Sequence, residues 1–179
     1  MRLALFDHPS GVEAAAPSAV VYELEADRAH VAPARVEGPA LRWTLDDGAE
    51  PGAVLAAEVD LDPAAGWLVR CDRVDFRPGG IAYRHTHPGP GIRRLLFGAI
   101  TIDSEGRQTS YGPGEAWFER GPVPVLATTA PDEPSAFVRV MLVPAALAGQ
   151  RTIRYVDPAD ADKPKTQRAT IFLEEPVRR

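Results

Sequence analysis

Two imidazoles one residue apart, His85 and His87, are the first side chains in this sequence whose type and spacing suggest chemistry. They are two of its four histidines. In an extended strand residues i and i+2 share a face, so the two rings project together. Neutral imidazole suits Zn, Cu, Fe and Ni, and two of them make half of a metal site. Without a metal, the same pair is a set of hydrogen-bonding groups that titrate near neutral pH. Tyr83 shares the histidine face by strand parity and is a candidate to shape a pocket there. His8 and His30 have no partner at ligand spacing.

Turn chemistry flanks the pair. Arg77-Pro78-Gly79-Gly80 precedes the strand and Pro88-Gly89-Pro90-Gly91 follows it. Ile92 to Phe97 is a second strand-like run closed by Gly98. The histidines therefore sit at the mouth of a strand, tight loop, strand unit.

Gly79, His85, His87 and Gly98 fall on the spacing of the first cupin motif: glycine, five residues, His-x-His, three or four residues, glutamate, six residues, glycine. The stretch resembles that motif, except that Gly91 stands at the glutamate position. Gly114 fits the opening glycine of the second motif. Beyond it, Arg120, Pro122, Val125 and Thr129 stand where the family has proline, glycine, histidine and asparagine. The resemblance spans residues 67 to 144. It implies a cupin double-stranded β-helix, or jelly-roll, barrel with a pocket at its mouth. In this family that pocket often hosts a metal-dependent oxygenase, isomerase, decarboxylase or lyase.

Of the usual three histidines and one glutamate, only His85 and His87 remain. A divalent metal (Fe, Zn, Mn or Ni) would need a replacement ligand, because sites with open chemistry usually keep three protein ligands. Glu119 is the candidate, giving two histidines and one carboxylate, a pattern of non-heme iron. Its bland role is a rim carboxylate paired with an arginine. If position 91 points inward as in the family, Arg93, Leu95 and Phe97 share that face, while Ile92, Arg94 and Leu96 point away. An inward arginine needs an anion, either a carboxylate of the chain or a substrate carboxylate held in a bidentate fork. Arg93 is thus a candidate substrate-binding residue, and Arg139 is a second.

The rest of the chain must position these groups. The 179 residues suit one domain with terminal extensions. Eighteen prolines and fifteen glycines fit many short strands joined by turns. Strand candidates at short, even spacing from Trp67 to Val143 indicate an all-β sandwich or barrel. Within Trp67–Phe76 both faces mix apolar and charged residues, and Arg70 with Asp72 and Arg73 with Asp75 are expected to pair along each face. The organisation expected is an N-terminal extension over 1–40 with one short strand at 20–24, a cupin domain over 41–150, and a C-terminal arm over 151–179. The apolar run Ala169–Leu173 follows a polar, proline-bearing segment and needs a surface. It can fold back on its own barrel or cross to a partner chain, and the crossing, which is the expectation, would make a homodimer.

Net charge is −5 without a basic stripe, which argues against nucleic acid. No apolar run approaches the length of a membrane helix. Charge appears too early at the N-terminus for a secretory signal, so the expected setting is cytoplasmic. The single cysteine, Cys71, excludes an internal disulfide and reads as a small buried hydrophobe. The functional expectation is a metal-dependent enzyme acting on a small anionic molecule. The alternatives are a metal-free barrel that binds a small ligand without catalysis, and an accessory protein that uses its C-terminal arm.

Overall fold

Proline and glycine cut the chain into short extended segments, and the computed structural model, which describes residues 1–178, is β almost throughout. Seven strands occupy the first third: β1 (Arg2–His8), β2 (Val12–Ala14), β3 (Val20–Glu23), β4 (Arg28–Val31), β5 (Ala34–Val36), β6 (Ala40–Asp46) and β7 (Leu55–Glu58). Then come β8 (Trp67–Phe76), β9 (Ile81–Thr86), β10 (Gly91–Phe97), β11 (Ile100–Ser104), β12 (Arg107–Tyr111), β13 (Ala116–Glu119), β14 (Val125–Thr129) and β15 (Ser135–Pro144). The chain closes with β16 (Arg154–Tyr155) and β17 (Gln167–Pro176). Two single 3-10 turns, Ala145–Leu147 and Pro158–Ala161, are the helical pieces among the described residues.

Three five-stranded sheets carry the architecture, in the orders β4-β3-β6-β1-β7, β13-β10-β15-β8-β17 and β12-β11-β14-β9-β16. Their cores show how they stack. Val69, Cys71, Ile92, Val138, Val140 and Leu142 on one face of the middle sheet join Leu3, Leu5, Val20, Leu41 and Trp43 of the N-terminal sheet. Val74, Leu95 and Phe137 on the other face join Ala82, Ile102, Val125 and Ala127 of the third sheet. The second and third sheets form the jelly-roll pair expected from the sequence, and the N-terminal sheet is a further layer on the outside.

The N-terminal segment thus differs from the strand-poor extension expected. It contributes five strands, and the boundary at residue 40 falls at the start of β6, which pairs with both β1 and β3. Leu41 to Leu45 alternate apolar and polar residues, which argues for the strand found there, and all of Ala40 to Leu45 are buried because both faces of β6 are covered. Ile92, read as pointing away from the pocket, is fully buried for the same reason: the N-terminal sheet covers it, and the Trp43 indole donates to its carbonyl at 3.3 Å. A register shift between Leu95 and Phe97 breaks the parity of β10, so Phe97 is exposed rather than inward.

The C-terminal run folds back on its own barrel. As β17 it pairs antiparallel with β8 of its own chain, from Gln167 opposite Phe76 to Pro176 opposite Leu68. Gly98 closes β10 with φ +77°, where a Cβ would lie 2.4 Å from the Pro134 carbonyl oxygen. Only glycine fits that approach. No helix among the described residues is long and apolar enough to cross a membrane.

Candidate functional site

Register across the middle sheet builds one wall of the site. Trp117, Arg93, Arg139, Asp72 and Ile171 are successive cross-strand partners on β13, β10, β15, β8 and β17. Two residues along, Glu119, Gly91, Met141, Arg70 and Glu174 form the next row. Opposite charges in or between adjacent rows pair, as they do across sheets generally. Arg139 donates from Nε to Asp72 Oδ1 at 2.7 Å and from Nη2 to Oδ2 at 3.2 Å. Arg70 engages Glu174 and donates to the Gln150 carbonyl at 3.0 Å. Arg93 donates from Nη1 to the Gly91 carbonyl at 2.5 Å, and its Nη2 lies 2.7 Å from Glu119 Oε2.

The third sheet supplies the histidines. On β14 and β9, Val125 faces His85 and Ala127 faces Ala82, two steps on one strand against three on the other. This bulge flips the alternation, so Ala82 and His85 both face the cavity. Tyr83, expected on the histidine face, does not line the cavity; Lys163 Nζ sits 4.5 Å from its ring centroid. Val125, at the position of the family's third histidine, is the direct cross-strand partner of His85.

His85 and His87 are each only 5% exposed, with ring centroids 4.8 Å apart and planes near perpendicular. Their Nε2 atoms stand 3.2 Å apart. His85 Nδ1 lies 2.6 Å from the Tyr83 carbonyl, which only accepts, so Nδ1 carries the hydrogen and neutral His85 turns an Nε2 lone pair into the cavity. Arg139 Nη1 lies 3.2 Å from His87 Nε2, which makes that nitrogen an acceptor too. Burial lowers the pKa of His85, and the Tyr83 carbonyl and Glu119 oppose it. Burial, then Arg139 and Arg93, hold His87 well below the usual imidazole value. Both rings are neutral acceptors near pH 7. Burial likewise brings Arg93 down to about 10, still cationic, with Glu119 opposing the shift.

These groups form the polar end of a cavity of about 330 Å³ between the second and third sheets. Val74, Phe76, Ile102, Ala127 and Phe137 make its apolar wall. Gly149–Ile153 and alternate residues of β17 (Gln167, Ala169 and Ile171) border it. Of the candidates from the sequence, His85, His87, Glu119 and Arg139 line this cavity. Arg93 is fully buried and is absent from the lining, its cation turned to Glu119.

Sequence reasoning missed Asp72 and Arg70. Arg73 and Asp75 do pair, at 2.7 Å, but Arg70 pairs with Glu174, over a hundred residues away, and Asp72 with Arg139. Shared parity of Arg70, Asp72, Val74 and Phe76 was the available signal; it needed β17 and β15 as neighbours to be read.

The donor set can be tested against a divalent metal. Two Zn–N bonds of about 2.0–2.1 Å at a tetrahedral angle place their nitrogens about 3.3 Å apart, so the imidazole spacing alone suits two ligands. The third ligand fails. Glu119 Oε1 accepts from the Trp117 indole at 2.9 Å, and Oε2 faces Arg93. The Arg139 guanidinium points at the same His87 nitrogen a metal would use. A Cβ on Gly91 would lie 2.6 Å from the Val140 carbonyl oxygen, so that backbone approach leaves no room for the family glutamate. Among the described residues no three His, Cys, Asp or Glu side chains converge on one point. The residues as arranged do not fit a divalent metal.

No family model matches the chain, and no curated protein matches it. Solved structures do. The polyketide cyclase RemF from Streptomyces resistomycificus aligns at 23% identity and TM-score 0.41, over 54% of this chain and 64% of that one. DMSP lyase DddQ from Ruegeria pomeroyi DSS-3 aligns at 23% and 0.43, over 50% and 44%. An RmlC-like cupin from Shewanella frigidimarina NCIMB 400 aligns at 17% and 0.39, over 47% and 81%. The chain therefore spans less than two thirds of the cyclase and of the lyase. The named activities belong to those proteins. For this chain, the spacing of Gly79, His85, His87 and Gly98 and the paired sheets that carry them identify a cupin-type fold.

Proposed function

We propose that this chain is a cupin-type protein that takes a small, largely apolar molecule into the cavity and handles a proton on it with the His85–His87 pair, without a metal. One observation carries the reading: two buried neutral imidazoles stand with Nε2 atoms 3.2 Å apart at the polar end of an apolar cavity, the His85 lone pair turned into it and His87 Nε2 accepting from Arg139. Nitrogens so placed act on a proton of a bound molecule, the role of a general base, which contributes about 10²- to 10⁴-fold to a rate. Arg139 stands beside them as a fixed cation for charge that develops on the substrate, and Asp72 fixes Arg139. The apolar wall supplies affinity through burial, as most ligand sites of this size do.

Two features speak against the anionic-substrate expectation in its simple form. Arg93 and Arg139 were its anchors, and each already has a carboxylate. The test combines elemental analysis of untagged protein with long-range proton–nitrogen NMR of the imidazoles. Substoichiometric metal, with both rings in the Nδ1–H form, supports the reading. Near-stoichiometric metal that is lost in His85→Ala overturns it and restores a metal-dependent enzyme.

A further inference from the structure

Two acceptors face each other across 3.2 Å with no hydrogen between them. Arg139 Nη1 serves His87 Nε2, so the acceptor left without a donor is His85 Nε2. The buried guanidinium groups around it each face a carboxylate, and Arg151, which also lines the cavity, is exposed to solvent. Arg139 spends Nε and Nη2 on Asp72, Arg70 is held by Glu174 and the Gln150 carbonyl, and Arg93 is sealed behind Glu119. Lys165 Nζ, at the border, donates to the carbonyls of Asp160 and Ala161. Asp72 and Glu119 lie on the same polar end, each negative. A carboxylate placed there would meet the His85 lone pair and two anions, while each buried guanidinium already faces a carboxylate of the chain. A hydroxyl would give its one hydrogen to His85 Nε2 and leave every ion pair intact.

Resting on the cavity reading above, we infer that the ligand presents a hydroxyl of phenolic or enolic type to His85 and His87, on an apolar, ring-sized body, and that the site rejects a carboxylate at that position. The hydroxyl donates its hydrogen to an imidazole Nε2. When the proton transfers, the O–H bond breaks, an N–H bond forms at Nε2, and the electron pair stays on oxygen. The oxyanion then faces the imidazolium it created. The step needs no oxidant and no co-reactant. Val74, Phe76, Ile102 and Phe137 hold the body of the molecule.

Three probes of one shape test this: 2-naphthol, 2-methoxynaphthalene and 2-naphthoate, titrated into the full chain at pH 7.5 and followed by fluorescence and calorimetry. The expected result is 2-naphthol binding at least tenfold tighter than either analogue. His85→Leu should bring the naphthol and the ether within about threefold of each other. Ala127→Leu, which fills the apolar end, should weaken all three probes, and Ile102→Trp does the same by a second route should Ala127→Leu not fold. If 2-naphthoate binds as tightly as 2-naphthol and filling the cavity abolishes it, the hydroxyl preference is overturned while the cavity reading survives. If no probe responds to either filling variant, both are overturned.

Discussion

The middle sheet has two faces made by alternate residues of the same strands, and they are built on opposite principles. Toward the N-terminal sheet, Val69, Cys71, Ile92, Val138, Val140 and Leu142 make an apolar face, and its two charges, Arg73 and Arg94, are only partly buried and pair with Asp27 and Asp7. Toward the cavity, Arg70, Asp72, Arg93 and Arg139 are just as deeply buried, and every one is ion-paired. A dry face tolerates errors of volume in proportion to the atoms lost. A face of buried ion pairs fails when one member is removed, because the other stays buried and uncompensated. The stacking of a third sheet on a two-sheet fold lets the site be polar: stability comes from the outer interface, and the inner one is left for chemistry.

The contrast sets the order of expected effects. Asp72→Ala strands Arg139 and should cost about 3–5 kcal/mol, read from urea denaturation; Asp72→Asn, which keeps the shape, should cost nearly as much if charge is the cause. Leu142→Ala on the dry face should cost about 2–4 kcal/mol while leaving naphthol affinity unchanged. An equal loss of affinity there would erase the division between the faces. Gly91→Glu restores the family's residue type, and should destabilise the protein without conferring metal, because its Cβ meets the Val140 carbonyl. A gain of stoichiometric zinc by that variant would sink the argument from backbone approach.

The smallest effect is pH-dependent. The folded pKa values of His85 and His87 lie below the ordinary 6.5, so the unfolded chain takes up protons first as pH falls. Stability should be highest above about pH 6.5 and decline below it toward the folded values. His85→Gln with His87→Gln should flatten that slope in thermal melts between pH 7.5 and 5.5. An unchanged slope would assign the pH response to other groups.

Much of the inner pair of sheets was legible, because turn residues at even spacing and a motif of two glycines and two histidines survive in one dimension. The rest was lost for physical reasons. The bulge at Tyr83-Arg84 reverses a parity argument and leaves no trace in composition. In the outer sheet Leu41 to Leu45 alternate and were legible, whereas β3 and β4 are four residues each, too short for a period to stand out. The partners of Arg70 and Arg139 are set by which strands become neighbours, and local spacing pointed instead to Asp72 as the mate of Arg70. His85, His87, Glu119 and Arg139 were brought together at the cavity, whereas Arg93 was read onto the correct face but lies behind the lining.

The place of β17 governs when a site can exist during synthesis. A nascent chain that has emerged only through β15 already holds both histidines, Asp72 and Arg139, yet its β8 edge is bare and Arg70 has no counter-ion. Gln167, Ala169 and Ile171 then add the remaining flank, and Glu174 fastens Arg70 as they dock. The last flank of the cavity is therefore set only when β17 docks, and a chain cut before residue 167 would leave the β8 edge and Arg70 open together.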